Sequence, residues 1–246
     1  MTEQVHDVAI IGGGVCGTAL LYLLSEYTDV QNIALIEKYD DVAKVNSHGR
    51  NNSQTLHCGD IETNYTLEKA AKVKAAAEMV VNYTETLAQR DKVIFKFPKM
   101  VLGVGEKECQ QLRERFETFK TVFTTMQLLE KEQIAEIEPN VIMVDGKMRE
   151  EPCVALAVLD EYSAVDYHQL AQSFVGEAKK RDDKAISLLL NNHVEDIVEK
   201  DGLFSIVTDN NVIKAKTVVV SAGGHSLLLA QQMGYGLEFS CLPVAG

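Results

Sequence analysis

The chain has 246 residues, 46% of them hydrophobic, enough to bury one large core or two smaller ones. Its formal net charge of −12 excludes sequence-independent binding to nucleic acid, which needs clustered Lys and Arg. No apolar run approaches the roughly 20 residues that span a bilayer, and "MTEQVHD" lacks the basic start of a signal peptide, so a cytoplasmic protein is expected, with peripheral attachment to the inner face of the cytoplasmic membrane left open.

Residues 5–11, "VHDVAII", read as a short buried strand, and "CGTALLYLLSEY" carries apolar residues at helical spacing, so the glycines between them sit on a strand-to-helix turn. "NIALIEKY", 32–39, reads as a second buried strand and completes a β-α-β unit of about 30 residues. The next stretch, "AKVNSHGRNNSQTLHCGDIETNYT", is too rich in Asn, Ser and His for a core element, and a long irregular segment linked to a glycine turn points to function. "LEKAAKVKAAAEMVVNYTETLAQR", 67–90, predicts a helix with an apolar stripe, capped by Thr66. "VIFKFPKMVLGVG" predicts a strand pair broken near Pro98, followed by a helix over 107–126 and a short acidic helix stopped by Pro139. From Asp160 the α/β rhythm returns. "SAVDYHQLAQSFVGEAKKR" predicts a capped amphipathic helix, and residues 185–224 a run of short strands with turns at Asp201-Gly202 and Asn210-Asn211. "GLEFSCLPVAG" ends the chain on an apolar, strand-like run with no closing helix or polar tail, as an unusual terminus or a fragment would.

Gly12, Gly14 and Gly17 have G-x-G-x-x-G spacing, with Gly13, Val15 and Cys16 on the same turn. Gly12 permits the tight turn, Gly14 the close approach of a pyrophosphate and Gly17 close packing of helix on strand, while the helix N-terminus supplies N–H groups and partial positive charge. A glycine-rich turn without a ligand has the same spacing. What separates the two is Glu37, 20 residues past Gly17 at the end of the second strand, where a carboxylate can accept both hydroxyls of an adenosine ribose, with Lys38 beside it. An acid there disfavours a 2′-phosphate, which makes NADP the least suitable occupant. In "VVVSAGG" an apolar strand delivers Ala222, Gly223 and Gly224 to a sharp turn, and residues without bulk let a backbone pass close to a cofactor. Cys16, Cys58, Cys109, Cys153 and Cys241 show no CxxC spacing, which fits reduced thiols rather than a disulfide frame, and no metal site is expected.

The chain resembles the FAD proteins of the glutathione-reductase and D-amino-acid-oxidase class, and within it the FAD-dependent malate:quinone oxidoreductases. The resemblance is carried by "GGGVCG" (12–17), "RNNSQTLHCGDIETNYTLEKA" (50–70), "EPNV" (138–141), "VVVSAGG" (218–224) and "AQQMGYGLEFSCLPVAG" (230–246). The string Asn51, Asn52, Thr55, His57, Glu62, Asn64, Tyr65 and Thr66 is its most discriminating part. It implies a Rossmann-like FAD-binding domain of the α/β class, from 1–80 and 160–240, with an inserted, incomplete α+β substrate domain from 81–159 and 241–246. It covers essentially the whole chain but about the first half of a full-length member, so the expectation is a fragment that lacks the rest of the substrate domain and is inactive alone.

The implied reaction is oxidation of L-malate to oxaloacetate, a tricarboxylic acid cycle step, by hydride transfer to FAD, which a membrane quinone then reoxidises. Such a site needs a base for the hydroxyl proton and cations for the carboxylates. The resemblance brings His57 to the flavin side and makes it the candidate for substrate or flavin contact and for the base. It makes Asn51, Asn52, Ser53 and Thr55 partners of the pyrophosphate and flavin ring, and offers Arg50 either to the pyrophosphate or to solvent. "VVVSAGG" resembles the second dinucleotide-contacting turn of two-domain flavoproteins, and Val194 in "NNHVEDI" would lie along the adenine edge. His6, His48, His168, His193 and His225 are read as solvated or structural, His48 being an exception by its place in the same loop. The alternatives are a related enzyme acting on another 2-hydroxy acid such as L-2-hydroxyglutarate, and a non-catalytic FAD-binding module. Oligomeric state is not legible.

Overall fold

A computed structural model of the chain describes residues 4–242. In chain order it contains β1 (Val5–Ile11), α1 (Val15–Tyr27) and β2 (Asn32–Ile36), then α2 (Leu67–Glu85), β3 (Ile94–Lys96), β4 (Lys99–Val104), α3 (Gly105–Phe119), β5 (Gln127–Glu130) and α4 (Lys131–Ile137). There follow the short strands β6 (Met143–Val144) and β7 (Lys147–Met148), then β8 (Cys153–Val158), β9 (Tyr162–Val165), α5 (Tyr167–Ala178), β10 (Ala185–Leu189), β11 (Val194–Lys200), β12 (Leu203–Thr208), β13 (Val212–Val220) and α6 (Ser226–Gln232). The chain divides into two units: one runs to Gln54 and resumes at Asp166, and the other is Thr55–Val165.

The first unit is built on a six-stranded sheet in the order β10-β2-β1-β13-β12-β11. The strands β10, β2, β1 and β13 are parallel, and β13, β12 and β11 form an antiparallel meander. A central parallel strand is covered on both faces and so reads as a continuous apolar run, as Val8 to Ile11 do here, each at most 9% exposed. Ile10 joins Leu21, Leu35 and Ala171 of one cluster, while Ala9 and Ile11 join Ala34, Ile36, Ile206 and Leu229 of the other. Two glycines bring these layers together. Gly12 has φ +108°, and a methyl there would overlap the Ser221 carbonyl; a methyl at Gly17 would overlap the Gly12 carbonyl oxygen. The helix α5 is capped by Asp166, whose carboxylate accepts from the N–H groups of His168 and Gln169, each at 3.0 Å.

The second unit is antiparallel. The apolar β8, buried throughout, lies between β4 and β5, with Cys109, Leu112 and Phe119 of α3 packed on one side and Ile134 and Ile142 on the other. The strands β3 and β9 pair separately, and β6 and β7 form a hairpin over Asp145-Gly146, both at positive φ as such a turn requires. Thr66 caps α2 as expected, accepting from Lys69 N–H at 3.3 Å, but only Ala70, Ala77 and Thr84 are buried along it. The Lys99 ammonium lies 2.7 Å from the Asp60 carboxylate, their side chains 13% and 1% exposed. Burial pulls the Lys99 ammonium down, but hydrogen bonding and charge from Asp60 more than offset it and hold it above the ordinary lysine value.

Several expected boundaries move. The second strand stops at Ile36 because Glu37 turns back to the glycine loop, and α2 stops at Glu85, short of 90. The helix α3 spans 105–119 rather than 107–126, and Phe123 and Met126 still reach its cluster from the turns beyond. The two strands flanking Pro98 do not pair with each other: β3 adds to β9 and β4 to β8. The domain boundary drawn at 80 would cut α2, whereas the units part after Gln54; 160 compares with the observed resumption at Asp166. The strand-like run from Gly236 is not a strand: it begins as a turn, followed by residues without regular structure to Leu242, and Gln231 Nε2 donates to the carbonyls of Gly236 and Phe239; its last four residues, 243–246, which belong to the expected substrate domain, lie outside the described residues.

Two glycines give opposite expected outcomes. Gly17→Ala forces α1 off β1 and should destabilise the chain by about 1–3 kcal/mol. At Gly176, within α5, an added methyl would meet nothing within 4 Å, so Gly176→Ala should stabilise the chain by about 0.4–1 kcal/mol. Urea midpoints for the two variants and the parent check both signs.

Candidate functional site

The carboxyl ends of β1, β2 and β13 open into a cavity of about 1200 Å³ in the first unit, lined by Ile11, Ile36 and Val220 at those ends. Crevices at the carboxyl ends of parallel strands are where open α/β sheets bind ligands. Three turns form the wall: the glycine loop, the 37–47 segment and the 221–226 turn, with Asn192 to Glu195 and α6 completing it. The turns are fixed by main-chain hydrogen bonds, Gly12 N–H to Ile36 O at 2.8 Å, Ser221 N–H to Ile11 O at 2.7 Å and Ala43 N–H to Gly13 O at 2.9 Å.

Glu37 sits at the centre of this bracing. Its Oε2 accepts from Gly13 N–H at 2.7 Å and its Oε1 from Tyr39 N–H at 3.1 Å. An ionised carboxylate offers about four acceptor positions, so each oxygen keeps capacity for one further donor. Ser47, 8% exposed, accepts from Val15 N–H at 3.0 Å and so meets a first-turn donor of α1 that no residue of the helix can satisfy.

Of the residues singled out in the sequence, Gly12, Gly14, Val15, Cys16, Glu37, Lys38, Asn52, Val194, Ala222, Gly223 and Gly224 line this cavity together. Gly13 stands behind Glu37, and Gly17 lies buried against the Gly12 carbonyl. Arg50, Asn51 and Ser53 are outside the wall. The Asn51 amide donates to Val45 O at 2.8 Å; that of Asn52 donates to Asn46 O at 2.7 Å and His48 O at 3.1 Å, while Asn52 Oδ1 accepts from Gln54 N–H at 2.8 Å. Both side chains therefore close the segment on itself. His193 and His225, read from sequence as solvated or structural, line the cavity; His6 is buried on β1, its ring basicity lowered by burial against the pull of Asp7. The rings of His48 and His168 meet edge-on at 5.7 Å. Sequence reasoning missed Ser47, Asn46, Tyr39 and Asn192. No spacing rule signals Ser47, because its bond to Val15 spans 32 residues and depends on the path of the 37–47 segment.

Thr55 and His57 belong to the second unit. Thr55 bridges to Ala164 beside β9. His57 Nδ1 lies 2.8 Å from Glu62 Oε1, the two side chains being 60% and 15% exposed. Burial pushes the Cys58 thiol up, against the opposing pull of the nearby Lys99 charge. The five cysteines are free, and among the described residues no group of three or more His, Cys, Asp or Glu side chains is arranged to hold a metal. No helix among them is long and apolar enough to cross a membrane.

The chain is similar along its length to known proteins. A relative from Campylobacter jejuni is 42% identical over 251 residues, covering 100% of this chain and 56% of its own length. The malate:quinone oxidoreductase of Helicobacter pylori is 40% identical over 242 residues, covering 98% of this chain and 54% of its own. The chain thus spans about half the length of the curated relatives it matches. Among solved structures, glycine oxidase from Geobacillus kaustophilus superposes with a TM-score of 0.70 at 20% identity, over 93% of this chain and 58% of that one. The L-alpha-glycerophosphate oxidase of Mycoplasma pneumoniae with FAD bound gives 0.64 at 22%, over 93% and 57%. Both show that the α/β, Rossmann-like fold read from the glycine turn and its flanking strands is the fold of this chain. The family model described as Malate:quinone oxidoreductase (Mqo) matches residues 4–246, and the chain belongs to that family.

Proposed function

We propose that the first unit binds FAD and that the protein oxidises L-malate to oxaloacetate, passing the electrons to a quinone. The observation that carries the reading is the cavity at the carboxyl ends of β1, β2 and β13, with Glu37 at its rim. Its residues suit a dinucleotide. At about 1200 Å³ it exceeds the roughly 300–1,000 Å³ of ordinary small-ligand sites. A methyl added at Gly14 would meet only Ser47 Oγ, at 3.6 Å, and one at Gly224 would meet nothing within 4 Å, which leaves both backbones open to close approach.

In this reading the N-terminus of α1, with Ser47 beside it, faces the pyrophosphate, and the free acceptor capacity of Glu37 takes the ribose hydroxyls. Val194 and His193 flank the adenine, and Ala222 to Gly224 pass beneath the remainder. Asn51 and Asn52 act by holding the 45–54 segment in shape. FAD, when bound, supplies the two-electron acceptor. His57 takes the proton of the malate hydroxyl, and the quinone, being a membrane lipid, implies peripheral contact with a bilayer, from the cytoplasmic side, within the tricarboxylic acid cycle.

Three measurements test this. The purified chain should show bound flavin absorbance or take up added FAD; a colourless chain that takes up none overturns the reading. Glu37→Ala should weaken FAD binding, since hydrogen bonds to a charged acceptor are worth about 1.5–3 kcal/mol each, or roughly tenfold and more in Kd. Circular dichroism separates this from loss of the Gly13 brace, and unchanged affinity would remove Glu37 from the site. With the product of the whole reading frame, malate should exceed L-2-hydroxyglutarate as electron donor to a quinone-like dye. The opposite preference assigns the alternative substrate.

A further inference from the structure

His57 and Glu62 lie five residues apart in an irregular segment of the second unit, and both flanks of that segment are pinned. Upstream, Leu56 N–H donates to Ser163 O at 2.9 Å. Between the two residues, Asp60 is held by the Lys99 ammonium at 2.7 Å. Downstream, Arg115 donates to Glu62 O at 2.7 Å and to Tyr65 O at 3.0 Å, with its guanidinium 3.7 Å over the Phe119 ring. Glu62 is therefore fixed in backbone and largely sheltered, with 15% of its side chain exposed, whereas His57 stands 60% exposed at its end. Among the described residues His57 Nε2 has no hydrogen-bond partner.

An ionised carboxylate only accepts hydrogen bonds, so a neutral His57 joined to Glu62 through Nδ1 must carry its proton there and present Nε2 as a bare acceptor. An exposed histidine with no such partner favours the other tautomer, with the proton on Nε2. We propose that Glu62 is the positioning residue of this site: it locks His57 in the Nδ1–H form, so that Nε2 receives the substrate's hydroxyl proton. The inference rests on the reading of the protein as a 2-hydroxy-acid dehydrogenase. In that reaction the O–H proton moves to Nε2, and the hydrogen on the same carbon leaves with its electron pair to the two-electron acceptor. The C–O bond becomes a carbonyl. The imidazolium so formed carries one positive charge, which the Glu62 carboxylate offsets at 2.8 Å. Lys99, Arg115 and Glu161 are further charged groups that meet the segment: Lys99 pairs with Asp60, Arg115 donates to two carbonyls, and the Glu161 charge acts on Cys58.

The test is long-range ¹H–¹⁵N correlation of the histidine rings in the ¹⁵N-labelled chain, at a pH where the ring is neutral. His57 in the Nδ1–H form is the expected result, and Glu62→Ala should return it to Nε2–H while the other five histidines keep their signals. An Nε2–H or mixed His57 in the unmodified chain overturns the proposal without any variant. With the product of the whole reading frame, Glu62→Ala should lower kcat roughly tenfold or more, the lower part of what a positioned base contributes, and leave KM for malate within about twofold. An unchanged kcat overturns it. A fixed Nδ1–H tautomer in a protein that does not oxidise malate sinks the substrate assignment and leaves the Glu62–His57 pair standing, so the two failures are separable.

Discussion

The contact on which the first unit depends is the one between Glu37 and the glycine loop. A strand-to-helix turn that exposes its N–H groups to a ligand has to be held open by something other than its own side chains, because glycines have none. Glu37 provides this from the neighbouring strand by taking Gly13 N–H at 2.7 Å, and the carbonyl of Gly13 in turn takes Ala43 N–H at 2.9 Å. The loop is thus clamped on both edges of one residue. Gly12 and Gly17 supply the complementary constraint, since neither position admits a methyl without moving β13 or α1. Charge at one residue and absence of bulk at two others fix the same three strand ends.

The 37–54 segment extends that logic. It has no regular structure after β2, yet Val42 and Ala43 are 2% exposed and belong to the core, and its side-chain amides fold back on its own carbonyls. Polar residues in an irregular segment do the work that a ladder does in a strand. The amides of Asn51 and Asn52 brace the segment from within, and of the two Asn52 lines the cavity.

Much of this is legible in the residues, and the limits follow from range. The β-α-β unit, the roles of Gly12 and Gly17 and the place of Glu37 rest on local periodicity and one fixed spacing, and each is found in the fold. The second strand reads three residues too long because its apolar run gives no hint that Glu37 will be drawn to Gly13. The strand β8 is not legible: "CVALAV" is short, apolar and without alternation, and such a run does not distinguish strand from helix. Ser47 and the partner of Asp60 are invisible for a different reason. Each depends on a contact over 32 or 39 residues, for which a single sequence carries no spacing rule.

The two candidate sites use opposite means. The cavity of the first unit presents backbone at Gly14 and Gly224, which offer nothing beyond their main chain, with the Glu37 carboxylate at its rim. Such a surface suits a large ligand that must be held in one orientation by many weak, directional contacts. The second unit presents a single ring on a pinned segment, where one proton position decides the outcome. A backbone cradle tolerates exchange of most neighbouring side chains but not an added methyl at Gly12 or Gly17. In the proposal for the second unit the sensitive atom is the Glu62 oxygen that orients the His57 ring. Mutational sensitivity in the first unit is therefore steric at Gly12 and Gly17, where it is measured as stability, and electrostatic at Glu37, where it is measured as ligand affinity, whereas the sensitivity proposed for the second unit is electronic and measured as proton position.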